Sequence, residues 1–229
     1  MFTREKRQAK PSAPARKRKK PVWRPWMALP LRLAGGFWLS RSLVLGSYSP
    51  FALGFVAASG PGLGGLAALV GAGLGYLTVL GLSGSLRYIA TALLAFAVAF
   101  AFEDLPIYRS GWLMSVGAAI ATGVTGFLYL SASAWTAEGA LYFASETLLA
   151  GVSCRFYQNL TSRSSRERRG AMLYLAVTLL CALAPIPVPG AGTLGAVLGA
   201  ALVLTAARAG SGVGAVCGAG TGLVLSAAG

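Results

Sequence analysis

Histidine is absent from this chain of 229 residues, and aspartate occurs once, at Asp104. Catalysis by a histidine base and most zinc sites are therefore excluded. Charged residues make up 11% of the sequence and hydrophobic residues 55%, whereas soluble domains usually carry about 25% charged residues. A chain with so few charges cannot cover a water-facing surface, so we expect a membrane protein.

Cysteine is also scarce. Cys154, Cys181 and Cys217 stand alone in apolar segments, without the C-x-x-C spacing of redox or metal sites, and are expected to behave as small hydrophobic residues. The sequence contains no Ser/His/Asp set, no pair of catalytic carboxylates and no cluster of metal ligands. We therefore expect neither an enzyme nor a cofactor site in this chain.

Apolar runs of nearly twenty residues recur along the sequence, which is the length that a helix needs to cross a bilayer. We predict an all-α, polytopic membrane domain over residues 27–229, with eight or nine membrane segments. Helices are expected over residues 27–46, 50–58, 63–80, 86–102, 112–135, 137–160, 171–184, 190–207 and 212–229. The second is too short for an ordinary span, so residues 27–58 are expected to form a hairpin broken at Ser49-Pro50.

Positive charge is concentrated at the N-terminus, where ten of the twenty Lys and Arg residues lie between Arg4 and Arg24. Residues 1–26 are rich in Lys, Arg and Pro and are expected to be a disordered tail in the cytosol. Such a tail orients the first span by the positive-inside rule and also attracts anionic lipid. We expect the lipid bilayer, and not nucleic acid, to be its partner.

A second basic cluster, S-R-S-S-R-E-R-R at residues 162–169, is expected to be a cytosolic loop. For this loop to lie on the same side as the tail, an even number of crossings must separate them. Counting residues 27–58 as a hairpin gives six crossings, and Arg87 is then the one basic residue expected outside. The topology residues of the loop are Arg163, Arg166, Arg168 and Arg169.

Two charges are predicted to lie inside the membrane. Arg41 stands in an apolar run with no acidic neighbour, and Glu146 lies in the middle of the predicted helix 137–160, with Glu138 at its start. A charge in hydrocarbon costs about 2.5–3.5 kcal/mol, so we expect it to be paired or functional. We favour Arg41 and Glu146 as a buried polar pair. The alternatives are that Arg41 snorkels to the interface, or that the carboxylates relay protons or bind cations.

Glycines spaced four apart cluster near the C-terminus, and this spacing lets helix backbones approach closely in lipid. The residues that repeat in this way are Gly210, Gly214, Gly218 and Gly222, preceded by the pair Gly195 and Gly199. We predict that the face from Gly210 to Gly222 packs against a neighbouring helix or against a second copy of the chain.

One stretch resembles a known family. The segment R-S-L-V-L-G-S-Y-S-P-F-A-L-G-F, which starts at Arg41, is similar to the start of the membrane region of the stage II sporulation protein E family. The Gly-rich segment 210–228 is similar to a later segment of that family. The residues that carry the first match are Arg41, Pro50, Phe51, Ala52 and Leu53.

The resemblance implies a membrane-anchoring and localising region. Proteins of this family continue into a linker that engages the cell-division ring and a manganese-dependent phosphatase of the PP2C type. The phosphatase acts on a phosphorylated anti-anti-sigma factor and so activates a forespore sigma factor at the asymmetric division septum. Because the sequence ends within the last predicted helix, the linker, the phosphatase and its manganese ligands are expected to be missing from this chain.

Three hypotheses for function follow. The first is an anchor in the plasma membrane, with a cytoplasmic N-terminus, that positions and self-associates a soluble effector. The second is a small transporter or channel whose path uses Arg41, Glu138 and Glu146. The third is a membrane scaffold without a catalytic partner. The sequence contains no recognisable inverted repeat and no substrate-like cluster of polar residues, which favours the first hypothesis over the second.

Overall fold

The computed structural model describes residues 25–44, 48–104, 111–132, 135–162, 164–189 and 192–228. This part of the chain is mostly helical, as the composition predicts. Its α-helices are α1 (Pro25–Ser40), α2 (Phe51–Ser59), α3 (Leu63–Ala101), α4 (Gly111–Ala132), α5 (Ala137–Gln158), α6 (Ser165–Leu183), α7 (Leu194–Ala209) and α8 (Ser211–Ala228). The predicted basic tail lies outside the described residues, except for its last two.

Helix α3 is a hairpin of two arms, residues 63–80 and 82–101. Gly81 has a φ of +67° and a ψ of −172°, which interrupts the helix and suits glycine because it lacks a Cβ. The rings of Tyr76 and Tyr88 stack with their centroids 4.9 Å apart, although twelve residues of straight helix would separate them by about 18 Å. The chain therefore turns back at Gly81, and the arms correspond to the predicted helices 63–80 and 86–102.

Helices α1 and α2 form the predicted hairpin around the break at Ser49-Pro50. The Arg32 Nη1 donates to the Ser59 carbonyl at 3.3 Å, so the start of α1 lies beside the end of α2. At the other end of the hairpin, the Ser49 Oγ donates to the carbonyl of Ser40 at 2.9 Å. The two helices therefore run in opposite directions.

Helix α1 packs closely on the first arm of α3 because glycines remove the side chains between them. A Cβ on Gly36 would meet the carbonyl oxygen of Ala68 and lie 2.9 Å from the Ala72 nitrogen. Near the other end of the contact, the Arg41 Nη1 donates to the Thr78 Oγ1 at 3.3 Å. Residues later in α1 contact residues later in this arm, so the two helices run parallel.

Helices α4 and α5 form a second antiparallel pair. The start of α4 lies beside the end of α5, where a Cβ on Gly111 would meet the Gln158 Oε1. Thr136 caps α5 by accepting a hydrogen bond from the Gly139 nitrogen at 3.0 Å, which satisfies one of the free amides at a helix start. A Cβ on Gly54 of α2 would lie 2.7 Å from the Cys154 nitrogen, so α2 packs tightly on α5.

The last three helices form a looser unit. A two-stranded ladder, β1 (Pro187–Val188) and β2 (Gly192–Thr193), connects α6 to α7 and is a small departure from the predicted all-α fold. Helices α7 and α8 run antiparallel, since a Cβ on Gly195 would lie 2.9 Å from Leu225 and one on Gly199 would lie 2.7 Å from Thr221. Gly210, with a φ of +156°, makes the turn between them.

Two predicted boundaries are wrong. Helix α6 begins at Ser165, so most of the predicted loop 162–169 is helical; arginine is a good helix former, and Glu167 in the first turn complements the helix dipole. Helix α1 ends at Ser40 and not at residue 46. The hydroxyls of Ser40 and Ser42 there donate to the carbonyls three residues earlier and compete with helical hydrogen bonding.

The helices present two ends. At the basic end lie the starts of α1, α4 and α6 and the ends of α2, α5 and α7; at the opposite end lie Gly81 and the start of α5. Among the described residues, the arginines at or near the basic end are Arg32, Arg155, Arg166, Arg168, Arg169 and Arg208, whereas Arg41 and Arg87 lie toward the opposite end.

By length and composition, two helices of the described part, α3 and α4, are apolar enough to cross a membrane. The surface of the bundle is rich in large apolar side chains, and several are more than half exposed: Leu63, Leu82, Phe100, Trp112, Leu128, Leu141, Leu148, Leu173 and Leu223. Its interior is built mainly from alanine, glycine and hydroxyl side chains. The polar residues buried there include Ser40, Ser42, Ser49, Ser85, Thr91, Thr122, Glu146, Ser153 and Thr178.

Candidate functional site

Glu146 forms an ion pair with Arg87 in the interior of the helical bundle. Glu146 comes from the middle of α5 and Arg87 from the second arm of α3, and the Arg87 Nη2 contacts the Glu146 Oε2. The side chains are 1% and 13% exposed, respectively. A charge at such a position needs a partner of opposite sign, and each residue here supplies the other's counter-charge. The second carboxylate oxygen of Glu146, Oε1, is buried without a hydrogen-bond partner among the described residues.

The predicted pairing of Arg41 with Glu146 is wrong. Among the described residues, no carboxylate lies within 4.0 Å of Arg41, and its Nη1 donates instead to the Thr78 Oγ1. The Arg41 guanidinium lies over the rings of Phe37 and Trp38, 5.7 and 5.8 Å from their centroids. These cation–π contacts stabilise a half-buried arginine without a counter-ion.

Aromatic rings enclose the Arg87 guanidinium. Its Cζ lies 5.3 Å from the ring centroid of Tyr88 and 4.9 Å from that of Tyr129. Space for it comes from Gly126 of α4, where a Cβ would lie 3.3 Å from the Arg87 Nη2 and 2.6 Å from the ring of Phe143. The guanidinium therefore binds a carboxylate and two π faces at once, and it is held in place.

A chain of polar contacts connects the ion pair to the break between α1 and α2. Tyr88 is a hydrogen-bond partner of Glu146, and its ring stacks on that of Tyr76. The Tyr76 hydroxyl donates to the Ser49 carbonyl at 3.0 Å. The Ser49 hydroxyl in turn donates to the Ser40 carbonyl. The backbone carbonyls of Ser40 and Ser49 are thus hydrogen-bonded by side chains of the cluster that is connected to the ion pair.

The residues of the family-like motif are core residues of α2. Pro50 is fully buried at the N-cap, and Phe51, Ala52 and Leu53 are 7%, 0% and 1% exposed. They belong to one hydrophobic cluster with residues of α1, both arms of α3, and α5. Arg41, the remaining motif residue, lies just beyond α1. The motif therefore specifies how the broken hairpin packs.

A small cavity opens toward the opposite end and has Arg87 in its wall. Its volume is about 160 Å³, and it is lined by Tyr48, Arg87, Tyr129, Leu130, Thr136, Gly139 and Phe143. Glu138 is exposed in the first turn of α5. Eight residues separate it from Glu146, about 12 Å along the helix. Of the three residues of the predicted transport path, only Glu146 belongs to the ion pair, and Arg41 has no part in it.

The predicted glycine face behaves differently at each position. Gly210 lies between helices and makes a turn, and Gly214 lies in α8. A Cβ on Gly218 would lie 3.8 Å from Val203 of α7, in ordinary contact, and one on Gly222 would meet nothing within 4 Å. The glycines that admit close packing of α7 and α8 are instead Gly195 and Gly199. Within the described part of this chain, Gly218 and Gly222 therefore do not bring α8 close to a neighbouring helix, and packing of this face against a second copy stays a prediction.

The predicted topology arginines lie on the surface. Arg166, Arg168 and Arg169 are exposed on the first turns of α6, and Arg163 lies outside the described residues. The Glu167 carboxylate among them accepts a hydrogen bond from the Ser162 hydroxyl at 2.6 Å. No group of three or more His, Cys, Asp or Glu residues that would suit a metal ion occurs in the described ranges.

Arg87 is the site residue that sequence reasoning missed. The predicted topology places it on the outside, in the first turn of the predicted helix 86–102. The sequence does contain one signal, the spacing of Arg87 and Thr91 by four residues. In the structure the Thr91 hydroxyl donates to the Arg87 carbonyl at 2.8 Å and lies 2.7 Å from the Thr125 hydroxyl. Polar residues spaced four apart mark one helix face, and here that face is turned toward α4.

Comparison of the chain with protein-family models, with curated proteins and with solved structures finds no match. The geometry of this cluster and of the bundle that holds it is therefore the basis for a proposed function.

Proposed function

We propose that the chain is a multi-pass membrane domain of eight or nine segments, and that it anchors and organises a soluble effector. The observation that carries the membrane location is the reversed distribution of polarity. Glu146 and a set of serines and threonines are buried, while leucines such as Leu63, Leu141 and Leu223 are at least 70% exposed. Water favours the opposite arrangement, and hydrocarbon favours this one.

The distribution of arginine supports a cytosolic basic end. Six of the eight described arginines considered above lie at or near that end, and one of the two at the opposite end is neutralised by Glu146. Cytosolic loops are enriched in Lys and Arg. The predicted basic tail precedes α1 at the same end, so the N-terminus is proposed to be cytoplasmic and the membrane to be the plasma membrane.

An anchoring role is supported by the burial and pairing of the interior charges. In a transport path, a charged residue faces a water-filled route or a substrate. Here the Glu146 side chain is 1% exposed and bound to Arg87, and the hydrophobic cluster around Tyr76, Tyr88 and Tyr157 fills the space toward the basic end. The pair therefore ties α3 to α5, which suits a rigid anchor.

The more specific proposal follows the family resemblance. We propose that the effector is a PP2C-type phosphatase beyond this segment, acting on an anti-anti-sigma factor at the division septum, with cell-division ring proteins as partners of the linker. Its support is the motif at Arg41 and Pro50–Leu53, whose residues other than Arg41 are buried in the α2 core. The proposal assigns manganese to the phosphatase and no cofactor to this chain.

The anchoring proposal is tested by fusing a fluorescent reporter to the N-terminus and following it in cells and in membrane fractions. The reporter should stay in the membrane after extraction with alkaline carbonate and should collect at the asymmetric septum in sporulating cells. Release by carbonate would contradict the membrane location. Uniform membrane fluorescence would contradict only the septal role.

The second candidate is a small transporter, and the cavity beside Arg87 is the observation that favours it. In this alternative the path uses Glu138 at the mouth and Glu146 beneath it, with Arg87 in the place predicted for Arg41. Flux of protons or small ions into proteoliposomes that is lost in Glu146→Gln would support transport and contradict a purely anchoring role.

A further inference from the structure

An apolar groove separates α6 from α7 and α8. Its volume is about 460 Å³, within the range of about 300–1,000 Å³ that is typical of ligand sites. It is lined by Leu173, Ala176, Val177, Leu179, Leu180, Leu183, Leu198, Leu202, Gly220 and Thr221. Thr221 is the one lining residue with a polar side chain, so the groove suits a hydrocarbon ligand.

The groove remains open because its walls do not meet. Leu173 and Leu202, on opposite walls, are 69% and 45% exposed. On α8, a Cβ added to Gly220 would meet nothing within 4 Å. The walls approach closely near the turn that connects α6 to α7, where a Cβ on Gly195 would lie 2.5 Å from the Ala184 Cα.

Arg169 lies on the groove side of α6, about one turn before the lining residue Leu173. Arg169 precedes Leu173 by four residues and Ala176 by seven, so it belongs to the same face of α6. Arg168, its neighbour, lies about 100° away around the helix. The Arg169 side chain is exposed, and the nearby carboxylate of Glu167 is held by Ser162.

A second arginine, Arg208 of α7, lies at the same level, about 120° around its helix from the lining residue Leu202. Counting from the contact between Ala184 and Gly195, Arg169 is fifteen residues back along α6 and Arg208 is thirteen residues forward along α7. At about 1.5 Å per residue these are about 22 and 20 Å. Helices α6 and α7 run side by side from the turn that connects them. Both arginines therefore lie at the basic end, where lipid headgroups of the cytosolic leaflet lie in the proposed topology.

We propose that the groove binds one anionic phospholipid, with an acyl chain between α6, α7 and α8 and the headgroup phosphate at Arg169. The apolar walls recognise the chain, and the arginine recognises the phosphate by charge-assisted hydrogen bonds. Arg208 adds to the positive potential of the site. The inference depends on the membrane location proposed above, and it names the lipid that the second half of the domain binds.

The test is native mass spectrometry of the full chain, purified in detergent with equal amounts of phosphatidylglycerol and phosphatidylcholine. The wild-type chain should retain one phosphatidylglycerol in several-fold preference to phosphatidylcholine. Arg169→Gln should remove that preference, and Arg168→Gln, which changes the same charge on another face, should keep it. The basic tail is present in every variant, so its attraction for lipid is a constant background.

The groove itself is tested with two matched glycine variants on α8. Gly220→Leu places a side chain in the groove and should reduce retention of the lipid several-fold. Gly222→Leu adds the same side chain at a position that is also open but does not line the groove, and it should retain the lipid. Helix content and melting temperature of each variant report on folding.

Several results would overturn the proposal. Equal retention of both lipids, or equal losses in test and control variants, would contradict an anionic lipid site. A dimer that disappears in Gly220→Leu would assign the groove to a second copy of the chain. Carbonate extraction of the same cells separates the two proposals, because a chain that stays in the membrane but shows no lipid preference contradicts only this one.

Discussion

The helical bundle and helix α8 use glycine in opposite ways. In the bundle of α1 to α5, glycine removes a side chain where another backbone passes, as at Gly36 and Gly54, where a Cβ would lie 2.9 Å and 2.7 Å from backbone nitrogens of neighbouring helices. In α8, Gly220 and Gly222 face open space. Glycine therefore marks close packing in the bundle, and also at Gly195 and Gly199 of α7, whereas at Gly220 and Gly222 of α8 it marks an uncovered surface.

The two halves also differ in where they keep charge. The bundle buries an ion pair and surrounds it with aromatic rings, whereas the unit of α6 to α8 carries its arginines on the surface beside an apolar groove. The first arrangement stabilises contacts between helices, and the second is suited to lipid. This difference supports the proposal that one chain combines a self-contained anchor with a lipid-binding extension.

The largest expected effect is on the ion pair. Arg87→Ala leaves Glu146 buried and uncompensated, and we expect a loss of about 3–5 kcal/mol of stability in detergent. Adding Glu146→Ala should restore part of that loss, so the two substitutions should be coupled in a double-mutant cycle. Arg41→Ala with Glu146→Ala should be additive within about 0.5 kcal/mol; coupling between those two would restore the rejected pairing.

The glycine contrast is tested with one substitution in each half. Gly54→Ala forces α2 away from α5 and should cost about 1–3 kcal/mol by overpacking. Gly222→Ala, in open space, should stabilise α8 by up to about 1 kcal/mol through helix propensity. Thermal unfolding followed by circular dichroism measures both changes in stability. If the two substitutions changed stability in the same direction, the contrast between the bundle and α8 would be contradicted.

A smaller effect is expected at the link between the ion pair and the helix break. Tyr76→Phe keeps the stack on Tyr88 and removes the hydrogen bond to the Ser49 carbonyl, which should cost about 0.5–1.5 kcal/mol. Amide hydrogen exchange should also speed up in residues 48–53. If exchange in these residues and the stability of the variant both equalled those of the wild type, the Tyr76–Ser49 hydrogen bond would not stabilise the region between α1 and α2.

The smallest expected effects concern the two threonine caps. Thr136 accepts from the Gly139 nitrogen at 3.0 Å, and Thr193 accepts from the Ala196 nitrogen at 3.3 Å. Substitution of either by alanine should cost about 1 kcal/mol or less. Thr136→Ala should lower the melting temperature of the bundle, while Thr193→Ala should increase hydrogen exchange only in α7 and α8. A global effect of Thr193→Ala would indicate one cooperative unit.

Most of the helix positions could be predicted from the sequence, because apolar runs bounded by glycine, proline and charge determine where a membrane-type helix begins and ends. The turn at Gly81 and the broken hairpin at Ser49-Pro50 follow from the same signals. The start of α6 could not, because four arginines in eight residues read as a loop although arginine favours helix.

The partner of Glu146 could not be chosen from the sequence alone. Arg41 and Arg87 both lie toward the end of the bundle opposite the basic end, so either could reach the level of Glu146. The choice between them depends on how α1 and α3 rotate about their axes. That rotation is set by contacts such as those of Gly36 and Gly126, which only the assembled structure specifies.

The same limit applies to the glycine repeat in α8. Spacing by four residues shows that glycines share a helix face, but not whether another helix covers that face. Gly195 and Gly199 are covered and Gly222 is not, although all three have the same spacing pattern. Coverage depends on which side of each helix is turned toward its neighbours in the assembled structure, and no local sequence feature encodes that rotation.

The central claim, a multi-pass domain with its basic end in the cytosol, is tested most directly with single cysteines. Ser83→Cys and Ser165→Cys each change one exposed hydroxyl, at the opposite end and at the basic end, in a chain whose three native cysteines are replaced by alanine. A membrane-impermeant maleimide added to intact cells should label position 83 and should reach position 165 only after permeabilisation. Labelling of both positions in intact cells, or the reverse pattern, would contradict the account.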